Sequence, residues 1–208
     1  FIQHVTLHAY ALGLLKEAGE ERAVYARHLD HYREKADFWI GEKYEVGPLD
    51  ADLEQYLHAF EQARAHMPER LVGFVVSAWQ FLSFRYYHTE LREWLETARQ
   101  TAVDRRDVQG EANTLQALGD LALYQADLKG AREYYDRALA LFEQVEDRLG
   151  QANTLRALGD LALYQADLKG ARESYDRALA LYEQVEDRLG QANTLQALGD
   201  LALYQADL

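Results

Sequence analysis

His4 and His8 are four residues apart, so one helix face could present both imidazoles to a metal ion. No glutamate completes an H-E-x-x-H pattern around them, which leaves surface or core histidines as the plainer reading. His28 and His31, with Asp30 between them, are read the same way. A Gly-Asp pair recurs at 119–120, 159–160 and 199–200 and could belong to a nucleotide or calcium loop. Apolar residues at helical spacing on both sides place it inside a helix instead, where packing accounts for the glycine. No G-x-x-x-x-G-K-[ST] phosphate loop occurs. Cysteine is absent, which excludes a disulfide scaffold, a thiolate zinc site and a cysteine nucleophile. No convergent titratable cluster can be assembled, so neither an enzyme nor a bound metal or cofactor is expected.

The elements that could carry any other chemistry are helices. The chain has 208 residues, enough for one or two units, and only two prolines, Pro48 and Pro68. Abundant Ala, Leu, Glu and Arg complete the profile of an all-helical protein. Thirty-five acidic side chains against 22 basic ones give a net charge of −13, which argues against nucleic acid or an anionic membrane as partner. No apolar run reaches the roughly 18 residues of a membrane span, and no leader is visible, so a cytoplasmic location is expected. The single methionine is Met67, which points to a piece of something longer.

Self-similarity decides the architecture. Residues 110–149 and 150–189 differ only at Glu111/Gln151, Gln116/Arg156, Tyr134/Ser174 and Phe142/Tyr182, and a third copy runs from Gly190 to Leu208. A forty-residue period belongs to stacked helix pairs. Within a copy, Ala112, Leu115, Leu118, Gly119 and Ala122 form one apolar stripe, and Ala131, Tyr135, Ala138, Leu139 and Phe142 form the next. The first helix is predicted to end near Gln125, with Asp127 capping the second and Asp147–Gly150 turning into the next copy. The recurrence of glycine at 119, 159 and 199 predicts close approach of a neighbouring helix at each. Arg132, Glu133, Asp136 and Arg137 read as opposite-sign pairs on a solvated face.

These residues resemble the tetratricopeptide repeat: Leu115, Leu118 and Gly119 match its first-helix pattern, and Ala131, Tyr135 and Ala138 its second. Ala126 stands where that family usually has Gly, and Glu143 continues the second helix where a proline commonly ends it. That longer second helix would account for forty residues rather than thirty-four. The resemblance implies an all-α fold, an α-α superhelix of about ten antiparallel helices. More faintly, Glu69–Arg106 reads as a divergent pair filled by Trp79, Phe81, Phe84 and Trp94. Pro48 and Asp50 open a helix ahead of it, Pro68 opens the next, and residues 4–18 and 20–45 form two more, separated by Gly19. The expected segments are residues 1–49, 50–109 and 110–208.

In tetratricopeptide arrays the first helices line a concave groove, and the resemblance places Asn113, Gln116, Asp120 and Tyr124 there. The equivalents are Asn153, Arg156, Asp160 and Tyr164, then Asn193, Gln196, Asp200 and Tyr204. Asn can hold the backbone of an extended peptide and the Asp column favours Lys or Arg, so the implied partner is a basic, extended protein or peptide segment. The alternative is a polar surface on duplicated copies, tuned to no ligand. The stripe Leu195, Leu198 and Ala202 lacks a partner, which predicts self-association through residues 190–208.

Tyr10, Ala11, Leu15, Gly19, Glu20, Arg27 and His28 resemble the segment after the winged helix in bacterial signal-transduction ATPases of the STAND class. SAWQFLSFRYYHTELREWLETA resembles their first superhelical repeat. This implies the ligand-sensing region of such an ATPase, with the nucleotide-binding module upstream; a free-standing scaffold or adaptor of repeats is the other reading.

Overall fold

The computed structural model describes residues 13–38, 52–84 and 88–206. Every regular element among them is helical, and they fall into two compact units, one within residues 1–87 and one within 88–208. In the first unit a helical stretch over 13–18 stops at Gly19, whose φ of +69° lies where glycine alone is unstrained. Helices α1 (Glu21–Ala36), α2 (Leu53–His66) and α3 (Pro68–Phe84) follow and pack on one another over Leu29, Tyr56, Phe60, Leu71 and Phe74. Pro68 opens α3 as expected, since a missing N–H is harmless in a first turn. Asp52 stands at the start of α2, but its carboxylate pairs with Lys35 and caps nothing. Residues 4–12, 39–45, Pro48 and Asp50, and the side chains of Phe81 and Phe84, lie outside the described residues. The pair read at Glu69–Arg106 contributes one helix to each unit, with Trp79 in the first and Trp94 in the second.

The second unit holds α4 (His88–Arg105), α5 (Val108–Tyr124), α6 (Leu128–Gln144), α7 (Arg148–Tyr164), α8 (Leu168–Gln184) and α9 (Arg188–Ala206), stacked as an α-α superhelix. One turn joins them all. Arg106, Ala126, Glu146, Ala166 and Glu186 take φ of 57–58°, and the aspartate after each accepts from the glycine N–H three residues on, at 2.8–3.1 Å. Asp127 N–H bonds Ala122 O and Ala126 N–H bonds Leu123 O, which closes α5 in a Schellman motif. This device recurs every twenty residues, half the sequence period, and makes α5 to α8 seventeen residues each. The forty-residue length is therefore shared by both helices and not carried by the second alone. The turn into the next copy is likewise shorter than Asp147–Gly150: Asp147 caps, and Arg148 already begins α7.

The predicted stripes are buried except at Leu139, which is half-buried. Ala112, Leu115, Ala138 and Phe142 meet within one pair, while Ala122, Ala131 and Tyr135 meet Ala157, Leu158 and Leu161 of the next copy. A Cβ on Gly119 would sit 2.5 Å from the Tyr135 ring, and one on Gly159 2.5 Å from Tyr175, so these glycines admit an aromatic ring against the helix. Gly199 departs from the expectation: among the described residues nothing lies within 4 Å of its Cβ position. Of the stripe read as unpartnered, Leu195 and Ala202 are exposed, but Leu198 packs against Ala162, Ala171, Tyr175 and Leu201, because the turn of the helix that carries Leu201 onto α8 carries Leu198 with it. On the charged face Arg137 reaches Glu111 at 3.7 Å rather than Glu133, which pairs with Lys129.

Candidate functional site

Positions 113, 116, 120 and 124 follow one another by three and four residues and so share one stripe of α5, beside the buried one. Thr114, buried one residue on from Asn113, satisfies its hydroxyl by donating back to the carbonyls of the preceding turn, Gly110 O at 3.0 Å and Glu111 O at 2.9 Å. The stripe grades outward: Asn113, Gln116 and Asp120 are half-buried, and Tyr124 is 63% exposed. On α7, Asn153, Arg156 and Asp160 are half-buried and Tyr164 is 73% exposed. On α9 all four residues, Asn193, Gln196, Asp200 and Tyr204, are exposed.

The first two columns are brought side by side. Thr154 Oγ1 of α7 donates to Gln116 Oε1 of α5 at 3.3 Å, and Asp120 lies in the fields of both Arg156 and Asp160. Tyr124 likewise feels Tyr164.

The carboxylates have a structural duty that sequence reasoning missed. Tyr135 OH donates to Asp120 Oδ1 at 2.6 Å, and Tyr175 OH donates to Asp160 Oδ1 at 2.7 Å, tying the two helices of each copy together. Asp160 keeps its second oxygen on Arg156 Nη1 at 3.3 Å. Burial pushes the Asp120 carboxyl up to about 6, against the opposing pulls of the Tyr135 hydroxyl and Arg156. Burial and then the Asp120 charge push the Tyr135 hydroxyl far upward, so it stays a donor. Tyr182 OH donates to Asn153 Oδ1 at 2.6 Å, whereas Phe142, its counterpart, offers Asn113 no hydroxyl. The only advance signal was a Tyr fifteen residues after each Asp in both full copies. Asp200 and Asn193 have no tyrosine partner among the described residues.

The other sequence candidates serve packing. His28 Nε2 lies 3.2 Å from Gln55 Oε1 and its ring packs against Tyr32 and His58, His31 packs on Tyr32, and Asp30 pairs with Arg70 at 2.6 Å. His4 and His8 lie outside the described residues. Among those described, no group of three metal-ligating side chains occurs, and no helix is long and apolar enough to cross a membrane. The Gly-Asp pairs at 119–120 and 159–160 are mid-helix, as their spacing predicts.

Residues 111–184 match the tetratricopeptide repeat family, in agreement with the resemblance of its motif residues. No curated protein matches the chain. Among solved structures similar to it is the crystal structure of BtubC (BKLC) from P. vanneervenii, with a TM-score of 0.56 at 14% identity over 91% of this chain and 92% of that one. At that identity the likeness concerns the fold: an all-α architecture.

Proposed function

We propose that the chain is a protein-interaction module whose α5, α7 and α9 hold an extended, basic segment of a partner protein. The observation that carries this reading is the juxtaposition of the α5 and α7 columns, with half-buried amides and carboxylates beneath exposed tyrosines. Match to the tetratricopeptide repeat supports the interaction role. The amides offer donors and acceptors to a peptide backbone, and a net charge of −13 favours a cationic partner over nucleic acid.

Calorimetry against basic peptides tests this, with Asp120, Asp160 and Asp200 changed together to Asn. Asn still accepts from Tyr135 and Tyr175, so the helix pairs stay tied while the charge goes. Weak binding that falls with added salt and weakens in the triple variant is expected. Equal binding by both proteins would remove the Asp ladder from the mechanism.

The wider setting we infer is the cytoplasmic ligand-sensing region of a STAND-class signalling ATPase, which rests on the resemblance of Tyr10 to His28. A free-standing scaffold joining two partners is the second reading, favoured by the repeat match alone. An upstream reading frame with a phosphate loop and a winged helix supports the first; its absence there supports the second.

A further inference from the structure

Tyr124 and Tyr164 are the last residues of α5 and α7, and both rings stand out of the surface, 63% and 73% exposed. Both copies are complete, with α6 and α8 seated, so this exposure belongs to the repeat itself. The tyrosines of the second helices, Tyr134, Tyr135, Tyr175 and Tyr182, all have hydrogen-bond partners. The hydroxyls of Tyr124 and Tyr164 have none among the described residues. Helices α5 and α7 lie against each other, and Tyr124 is near enough to feel Tyr164. Packed helices stand about 8–10 Å apart, which sets the step from one ring to the next. A polar group beside them is oriented as well. The Arg156 guanidinium donates to the Tyr182 hydroxyl, which donates to Asn153 Oδ1 at 2.6 Å, so Asn153 keeps its NH2 for a ligand. The stripe thus offers hydrogen-bond donors at two phenols and one amide.

A ligand that meets both rings must repeat a side chain on one face at that step. A β-strand returns to the same face every second residue, after roughly 7 Å or twice that, and misses the step. An α-helix spends its carbonyls internally and leaves the donors nothing to bind. Polyproline II has three residues per turn and rises about 9 Å over them, so every third side chain meets a ring. Its carbonyls make no internal bonds, and proline brings no N–H that the site would have to satisfy. We propose that Tyr124 and Tyr164 form a ladder for a polyproline II segment with proline at every third position, each proline ring packed on one tyrosine. This deepens the extended, basic ligand argued above and rests on it: the segment gains a conformation and a period. Asp120 and Asp160 stand four residues before the tyrosines, one helical turn inward, and call for a lysine or arginine among the residues between prolines.

The probes are three labelled peptides of equal length, blocked at both ends and titrated with the 208-residue chain by fluorescence anisotropy. The first is four copies of Pro-Lys-Ala. The second is two copies of Pro-Lys-Pro-Ala-Lys-Ala, which keeps the composition and charge but never sets two prolines three residues apart. The third is four copies of Ser-Lys-Ala, which keeps the charge and removes the prolines. Saturable one-to-one binding of the first is expected, roughly tenfold tighter than either of the others. Tyr124→Ala together with Tyr164→Ala should erase that preference without lowering the thermal midpoint, because both rings are mostly exposed. Equal binding of all three peptides, or a preference that survives the double variant, overturns the proposal and leaves the basic-segment reading standing. Binding of none overturns both.

Discussion

Gly159 and Gly199 occupy the same place in the same local sequence, yet replacing each with Ala should shift stability in opposite directions. Inside a helix, Ala is about 1 kcal/mol better than Gly, and both variants gain this. At Gly199 nothing lies within 4 Å of the new Cβ, so the gain stands and α9 becomes more stable by roughly 0.5–1 kcal/mol. At Gly159 the new Cβ would sit 2.5 Å from the Tyr175 ring, against about 3.5–4.0 Å for an ordinary carbon contact. The ring must retreat by about 1 Å in a packed interior, which costs roughly 1–3 kcal/mol. Its retreat also stretches the 2.7 Å bond to Asp160, a further loss of about 1.5–3 kcal/mol for a charged acceptor. Part of each cost relaxes away, and the net expectation for Gly159→Ala is a loss of about 1–3 kcal/mol. Urea unfolding followed by circular dichroism measures the midpoint and slope for both variants. Stacked repeats unfold with nearest-neighbour coupling, so amide hydrogen exchange within α9 and within α7–α8 should be read alongside. Shifts of the same sign in both variants would refute the assignment of Tyr175 to the Gly159 position.

Three further outcomes are expected. Ala126→Gly removes a left-handed alanine at φ 58° and should stabilise by up to about 1 kcal/mol in thermal or urea unfolding. Asp167→Ala deletes the acceptor of the Gly170 N–H and should cost about 1 kcal/mol in the same assay, with faster exchange at the start of α8. Asp120 carries a carboxyl raised to about 6, so the fold binds its proton more tightly than the unfolded chain does. Its contribution to stability therefore falls as pH rises from about 4 to about 6. Asp120→Asn should flatten that part of a pH series of unfolding midpoints, and an unchanged slope would place the titration elsewhere.

What could be read from the sequence follows from what periodicity encodes. Ala112, Leu115, Leu118 and Ala122 declare a buried face because helical spacing alone puts them on one line, and each is buried. Asp127 was readable as a cap because the residue type and its place before an apolar run suffice. The twenty-residue turn was not legible, since Arg106, Ala126 and Glu146 carry no chemical mark of a left-handed backbone. Here the surrounding helices impose the conformation and the side chain merely tolerates it. The Tyr135–Asp120 bond escaped for a different reason: it joins residues of two helices, and neither helix's own period predicts which face meets which. The candidate columns were placed on one stripe, but whether their polar atoms were committed to neighbours depended on that pairing.

The four differences between the full copies gain meaning from the same contacts. Gln116 accepts a hydrogen bond from Thr154, while Arg156 in its place sets a cation 3.3 Å from Asp160. Phe142 leaves Asn113 without a hydroxyl, while Tyr182 commits the carbonyl of Asn153. Glu111 pairs with Arg137 across the helix pair, while Gln151 turns its amide to Phe142 O at 3.2 Å. Tyr134 reaches Glu96 at 3.3 Å, which Ser174 is too short to imitate. Three of the changes lie off the apolar stripes, and the fourth, Phe142 to Tyr182, keeps the buried ring and adds a hydroxyl. An array built from nearly identical copies thus presents non-identical rungs: a neutral pair on α5, a cation and a committed amide on α7, and open Asn193 and Asp200 on α9. On the proposed reading, reversing an extended ligand exchanges its contacts with Gln116 for contacts with Asp200. The polar differences, and not the shared packing, would then set the direction in which a bound chain runs.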